Sequence, residues 1–194
     1  MSFENQSESI RFPQIALELK KMVDVDQNMR ERGQSEGCWD AAIDAKHTKR
    51  MREIVAEIGW PTVSKVGAEG ASNAWLLVQH ADHDVDFQEH CLQLMNEAPT
   101  GEVSVTDIAY LTDRVCVNRG RGQLYGTQFT QEGGKHIPRM IEDEKNVDAR
   151  RAKVGMGPLS EQIQMMYAYF PRKDLGNIHL TPPNCKLRLD CFFG

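Results

Sequence analysis

The stretch Trp75-Leu76-Leu77-Val78-Gln79-His80-Ala81-Asp82-His83-Asp84 decides the fold, because an apolar run ends without transition in polar and ionisable groups. With Ala71 and Ala74 before it, the run puts apolar side chains nearly all the way round a helix from about Glu69 to Ala81, the pattern of a helix covered on every side. It predicts the central helix of a mainly α protein. A buried helix end costs free energy unless its polar groups are paired, so Gln79, His80 and Asp82 make this corner a candidate site. Asp84 reads as the N-cap of the next helix, its carboxylate accepting from backbone amides two and three residues on.

Working outward, helical periodicity recurs on both sides. Pro13 to about Arg32 carries Ile15, Leu19, Met22 and Met29 on one stripe, with Gly33 as the expected stop. Asp40 to Ile58 carries Ile43, Met51, Ile54 and Ile58, and closes at Gly59 before Trp60-Pro61, a pair that suits packing and loop rigidity. After Asp84 the helix runs to Met95 through Phe87, Cys91 and Leu94. Ser104 and Asp107 open a fifth helix with Ile108, Leu111 and Val115 inward. Leu124 to Thr130 and His136 to Ile141, split by Gly133-Gly134, read as a β-hairpin. Asn146 to Val154 is a short helix, and Pro158 starts a last one through Leu159, Ile163, Met166 and Phe170. The expected architecture is a mainly α, single-domain bundle of about six to seven helices with one small β-hairpin. Its boundaries are a tail at 1–12, a helical domain at 13–170 with the hairpin near 124–141, and an irregular tail or edge strand at 171–194.

Composition narrows the function classes. The net charge of -5 is dispersed, with Lys49, Arg50, Arg52, Arg119 and Arg121 interleaved with acids, so no nucleic-acid partner is expected. No apolar run nears the roughly 20 residues that span a bilayer, so no membrane is expected. The first residues lack signal-peptide features, and a cytoplasmic location is the expectation. Five cysteines without a CxxC pair argue against a disulfide framework or a zinc site. The sequence sets no oligomeric state.

Several polar positions invite chemistry, each beside a plainer alternative. Asp26, Asp44 and His47 lie on apolar helix faces, where a carboxylate must pair or shift its pKa; ion pairs with Arg114 or Arg151 would satisfy them and could wall a polar pocket. Arg114 is the anion-binding candidate if it faces inward, since its guanidinium can grip a carboxylate or phosphate with two donors, and Asp113 lies beside it. Tyr125-Gly126-Thr127-Gln128 falls on the first hairpin strand, where alternation sends Tyr125 and Thr127 to one face and Gly126 and Gln128 to the other. Gly126 admits a close approach by a ligand or by packing neighbours. Asp148, Arg150 and Arg151 read as a solvated helix with caps. His47, His83-Asp84 and Asp113 imitate the H, HD, D order of metal-dependent phosphohydrolases, though the His83-Asp84 dyad falls at a corner rather than inside a helix. HExxH, GxxxxGK[ST], GxSxG and GxGxxG are all absent from the sequence.

Taken in order, Gly59-Trp60-Pro61, Val66-Gly67 with Gly70 and Trp75, Gln79-His80-Ala81-Asp82 with Phe87-Gln88, Ala109-Tyr110-Leu111-Thr112-Asp113-Arg114, Tyr125-Gly126-Thr127-Gln128, Val147-Asp148 with Arg150-Arg151, Val154-Gly155 and Pro158-Leu159 resemble a bacterial family catalogued as domain of unknown function 6624. The resemblance runs from about Pro13 to Gln162. It implies a domain boundary and a set of polar positions that travel together, and it transfers no mechanism.

Three functions follow as expectations. The first is a cofactor-free hydrolase or acid-base enzyme acting on a small polar or anionic molecule. There His80 is the base or acid, Asp82 its orienter, Arg114 an anion clamp, Gln79 and Gln128 hydrogen-bonding groups, and Tyr125 and Asp113 further substrate contacts; Asp26, His47 and Arg151 are secondary candidates. The second is a non-catalytic binding or protein-interaction module. The third is a metal-dependent phosphohydrolase using His47, His83, Asp84 and Asp113.

Overall fold

A computed structural model describes residues 10–37, 40–133 and 135–169. The tail or edge strand expected at 171–194, and the greater part of the tail expected at 1–12, lie outside them. Among the described residues the chain is mainly α, with seven α-helices and one two-stranded antiparallel hairpin. It divides into two compact units, residues 1–104 and 105–194.

The first unit holds α1 (Pro13–Glu36), α2 (Ala41–Ile58), α3 (Val63–Gln79) and α4 (Val85–Glu97). Pro13 suits the start of α1 because its missing N–H has no helical partner to lose. The expected stop at Gly33 is corrected: the helix continues one turn, and Gly37 closes it at φ 71°, donating to the carbonyl of Gly33 at 3.1 Å. Asp40 caps α2 by accepting from Ala42 N. Asp84 caps α4 by accepting from Phe87 N, a contact of a kind that stabilises by about 1 kcal/mol.

Helix α3 packs against α1, α2 and α4. Ala74 through Ala81 are all buried, as an apolar surface all round the helix requires. Burying Trp75, Leu77 and their like stabilises by about 2 kcal/mol per side chain, which makes this helix the anchor of the unit. It begins earlier than its apolar pattern suggests, because Gly67 sits at φ 75°, ψ 166° and kinks it. Glycine is required by the backbone at this positive φ, while the nearest neighbour of an added Cβ, Ile10 Cδ1 at 2.9 Å, is the end of an exposed side chain that can shift.

The second unit holds α5 (Val105–Asn118), β1 (Phe129–Glu132), β2 (Lys135–Pro138), α6 (Val147–Lys153) and α7 (Leu159–Tyr169), with a 3-10 turn at Glu144–Asn146 before α6. The hairpin pairs Phe129 with Pro138 and Glu132 with Lys135. Phe129 and Met166 are buried together, with Tyr110 and Ile163 packed on them. The strand expected from Leu124 is corrected: Leu124 to Gln128 form a loop, for a reason that lies in Asp113.

Candidate functional site

In the first unit, α1, α2 and the end of α3 bring six polar side chains into the interior. Asp26 and Arg30 are one turn apart on α1, so they share a face. Arg30 Nε lies 3.2 Å from both Asp26 oxygens and 3.0 Å from His80 Nδ1, and Arg30 Nη2 donates to Asp44 Oδ1 at 2.8 Å. His80 Nδ1 lies 3.1 and 3.0 Å from the two Asp26 oxygens, and Gln27 Nε2 donates to Asp26 at 2.8 Å. Burial alone would raise the Asp26 carboxyl. The hydrogen bond and charge of His80, with the charge and hydrogen bond of Arg30, hold it instead at about 2.

His80 Nδ1 faces both the Asp26 oxygens and Arg30 Nε, and its role follows the tautomer. A carboxylate only accepts, so the arrangement that serves Asp26 has both His80 Nδ1–H and Arg30 Nε–H donating to it. In that tautomer the lone pair of the neutral ring is on Nε2, the atom able to take a proton; in the other, Nδ1 accepts from Arg30 Nε at 3.0 Å. Sequence reasoning gave the orienting role to Asp82, yet the carboxylate on Nδ1 is that of Asp26. Asp82 Oδ1 accepts from Gln88 Nε2 at 3.2 Å, and the same amide nitrogen reaches the carbonyls of Val78 and Gln79. It therefore helps to close the end of α3.

Two neighbours are unsatisfied. Neither the nitrogen nor the oxygen of the fully buried Gln79 amide has a hydrogen-bond partner among the described residues, and His47 Nδ1 has none either. Each such group costs about 1–3 kcal/mol. Burial lowers the His47 pKa and keeps its ring neutral, while Asp44 is raised by burial against the pull of Arg30. Arg30 itself was not singled out in the sequence, although its spacing of four from Asp26 was the available signal. The expected ion-pair partners of Asp26 and Asp44, Arg114 and Arg151, belong to the second unit; the partner found is Arg30.

The polar groups of the second unit are used differently. Asp113 accepts from the backbone N–H groups of Leu124, Tyr125 and Thr127 and from Thr127 Oγ1, at 2.7 to 3.2 Å. Burial raises its pKa, and those donors oppose the rise. Turning the N–H groups of Leu124, Tyr125 and Thr127 onto one carboxylate is incompatible with an extended strand, and this is why residues 124–128 loop. Gln123 reinforces the bend, its amide donating to Gln128 O and accepting from Gln128 N. Gly126, at φ 70°, lies under Leu159, whose Cδ1 would meet an added Cβ at 2.8 Å, so its close approach serves packing.

Arg151 is buried, correcting the solvated-helix expectation. It donates to the carbonyls of Gly157 and Tyr125 and to Gln162 Oε1. Arg150 reaches the carbonyls of Leu124, Glu142 and Asp143, and Asp148 accepts from Leu159 N. Tyr125 is thus held by its N–H on Asp113 and by its carbonyl on Arg151. Gln128 Nε2 donates to Thr127 Oγ1, and its Oε1 has no partner among the described residues. Arg114 is buried on α5.

Of the residues chosen from sequence, the first unit contains Asp26, His47, Gln79, His80, Asp82, His83 and Asp84, and directly joins Asp26 to His80. The second contains Asp113, Arg114, Tyr125, Gln128 and Arg151, and joins Asp113 and Arg151 to Tyr125. For the metal alternative, Asp84 is committed to capping α4 and to an ion pair with Arg52 at 2.7 Å, and Asp113 to its loop. Among the described residues no three His, Cys, Asp or Glu side chains group as metal ligands. Cys91 is buried, and burial pushes its thiol far up, as for an inert core residue. No described helix is long and apolar enough to cross a membrane.

Comparison with the curated proteins and with solved structures returns no significant match. A family profile matches residues 13–173, so the chain belongs to a family of unknown function, DUF6624.

Proposed function

We propose that the first unit performs cofactor-free acid-base chemistry, of hydrolytic type, on a small polar molecule. His80 moves the proton through Nε2, and Asp26 holds the ring through Nδ1 and stabilises the imidazolium that forms. His80 and, after it, Arg30 keep Asp26 ionised. Gln79 offers substrate both a donor and an acceptor. The observation that carries this reading is the 3.0 Å contact between His80 Nδ1 and Asp26 inside the core, where an imidazole is aligned by an ionised carboxylate.

A non-catalytic binding module is the second reading, favoured by the unpartnered Gln79 amide, which a bound molecule satisfies without turnover. One experiment separates the two. Purified protein, His80→Gln and Asp26→Asn are assayed on small carboxylic esters, amides and phosphoesters, with melting temperatures recorded in parallel. The enzyme reading expects turnover that falls by about 10²–10⁴ in His80→Gln while the fold is kept. Turnover indifferent to His80, or no turnover on any of these classes, contradicts it.

A further inference from the structure

Within the first unit, one guanidinium ties two carboxylates on different helices to His80. An arginine commonly grips a single carboxylate with two parallel N–H groups, one to each oxygen, because its planar fork matches that spacing. Here Arg30 meets Asp26 end-on, with Nε 3.2 Å from both oxygens, while Nη2 donates to Asp44 Oδ1 on α2 at 2.8 Å. The same Nε lies 3.0 Å from His80 Nδ1, and the Asp26 oxygens lie 3.0 and 3.1 Å from that nitrogen. Asp44 thus draws one arm of the guanidinium toward α2.

Two consequences reach the imidazole. With Nη2 held by Asp44, Arg30 does not close as a fork on Asp26, and that carboxylate keeps lone pairs for His80 Nδ1–H. A guanidinium beside the ring opposes its protonation, and the Asp44 carboxylate offsets that charge. The two acids also differ in their access to solvent, since the Asp44 side chain keeps 12% exposure against 1% for Asp26. Burial raises the Asp44 pKa, whereas Asp26 stays charged down to about 2, so Asp44 is the carboxylate that changes state first on acidification.

We propose that Asp44 is a positioning residue for His80: through Arg30 Nη2 it holds the guanidinium from closing on Asp26, leaves that carboxylate to the imidazole, and offsets the positive charge beside the ring. The proposal rests on His80 being the proton-transfer group and names what tunes it. Besides Arg30, the ionisable groups around Asp44 are Asp26 on α1, His80 at the end of α3, His83 beyond it, and His47 one turn along α2. Asp44→Asn removes one charge from this set and nearly keeps the side-chain volume, so its effect is separable from theirs.

The full chain, Asp44→Asn and Asp44→Glu are compared by nitrogen-15 NMR of the His80 ring as a function of pH, with melting temperatures recorded in parallel. In Asp44→Asn the ring is expected to take up its proton at a pH lower by about 1, and Asp44→Glu is expected to restore most of the difference. An Asp44 that only braces α1 against α2 lowers the melting temperature and leaves the ring titration in place, and that result overturns the proposal. If Asp44→Asn does not fold, the wild-type chain decides: the Arg30 Nε–H signal is followed while the Asp44 carboxyl titrates, in a range separate from that of Asp26. The signal is expected to move with Asp44, and a signal indifferent to Asp44 overturns the proposal. The acid-base reading is judged separately by turnover in His80→Gln. An unmoved ring titration together with His80-dependent turnover rejects Asp44 and leaves His80 in its role, whereas a lowered titration without such turnover upholds the coupling to Asp44 and rejects the acid-base reading.

Discussion

The two units bond their buried charges to different kinds of partner. In the second, Asp113, Arg150 and Arg151 direct most of their hydrogen bonds to backbone N–H and C=O groups of residues 124–127, 142–143 and 157, so charge is converted into loop geometry. In the first, Asp26, Arg30, Asp44 and His80 are hydrogen-bonded to one another; each unit also leaves buried atoms without a partner among the described residues, His47 Nδ1 and the Gln79 amide in the first and Gln128 Oε1 in the second. A charge that fixes backbone is explained by folding alone. A buried cluster whose charged groups bond to one another is not, and proteins tolerate such groups where a ligand or a reaction uses them.

This contrast can be broken most forcefully at Arg151. Arg151→Met removes donors from two carbonyls and from Gln162, and a loss of about 3–5 kcal/mol in denaturant unfolding is expected. A loss below about 1 kcal/mol would show that the clamp is not structural. Asp113→Ala follows, with a loss of about 2–4 kcal/mol, because three loop N–H groups and the Thr127 hydroxyl lose their acceptor. Circular dichroism on melting reads both.

A smaller effect belongs to pH. Asp26 has a folded pKa of about 2, below its ordinary 3.8, so it contributes stability that is present above about pH 4 and lost as pH falls through 2. The contribution is about 2 kcal/mol. Comparing wild type with Asp26→Asn across pH 5 to 2 isolates it from Asp44 and Asp113, whose raised values act in the opposite sense. Parallel acid profiles of the two proteins would contradict the assignment. The smallest effect sharpens the contrast most. Gln79→Met removes an amide without a hydrogen-bond partner among the described residues, and stability is expected to hold or rise by up to about 1 kcal/mol. A clear loss of stability would mean that the amide has a structural partner.

Much of this fold was legible because it depends on local patterns. The apolar circuit of Trp75 to Val78 marked a buried helix, and Asp84 announced its cap by its position before Val85. The helix starts and stops that were misplaced depended on neighbours: Gly67 kinks α3 where Ile10 approaches, and Gly33 continues α1 because Gly37 supplies the left-handed turn. The loop at 124–128 looked like a strand because alternation cannot register an acceptor eleven residues upstream. Asp26 and His47 stood out as polar residues on apolar stripes. The pairing of Asp26 with His80, 54 residues apart, is a tertiary contact that no sequence period encodes.

The central claim is that Asp26 aligns His80 for proton transfer, and the most direct measurement is the tautomer of His80 by nitrogen-15 NMR of the imidazole in the free protein. Arg30 Nε and the Asp26 oxygens compete for Nδ1 at nearly equal distances, so the result is decisive. The account predicts a proton on Nδ1 with the neutral-ring lone pair on Nε2. A proton on Nε2, with Nδ1 accepting from Arg30, would make His80 a structural acceptor and contradict it.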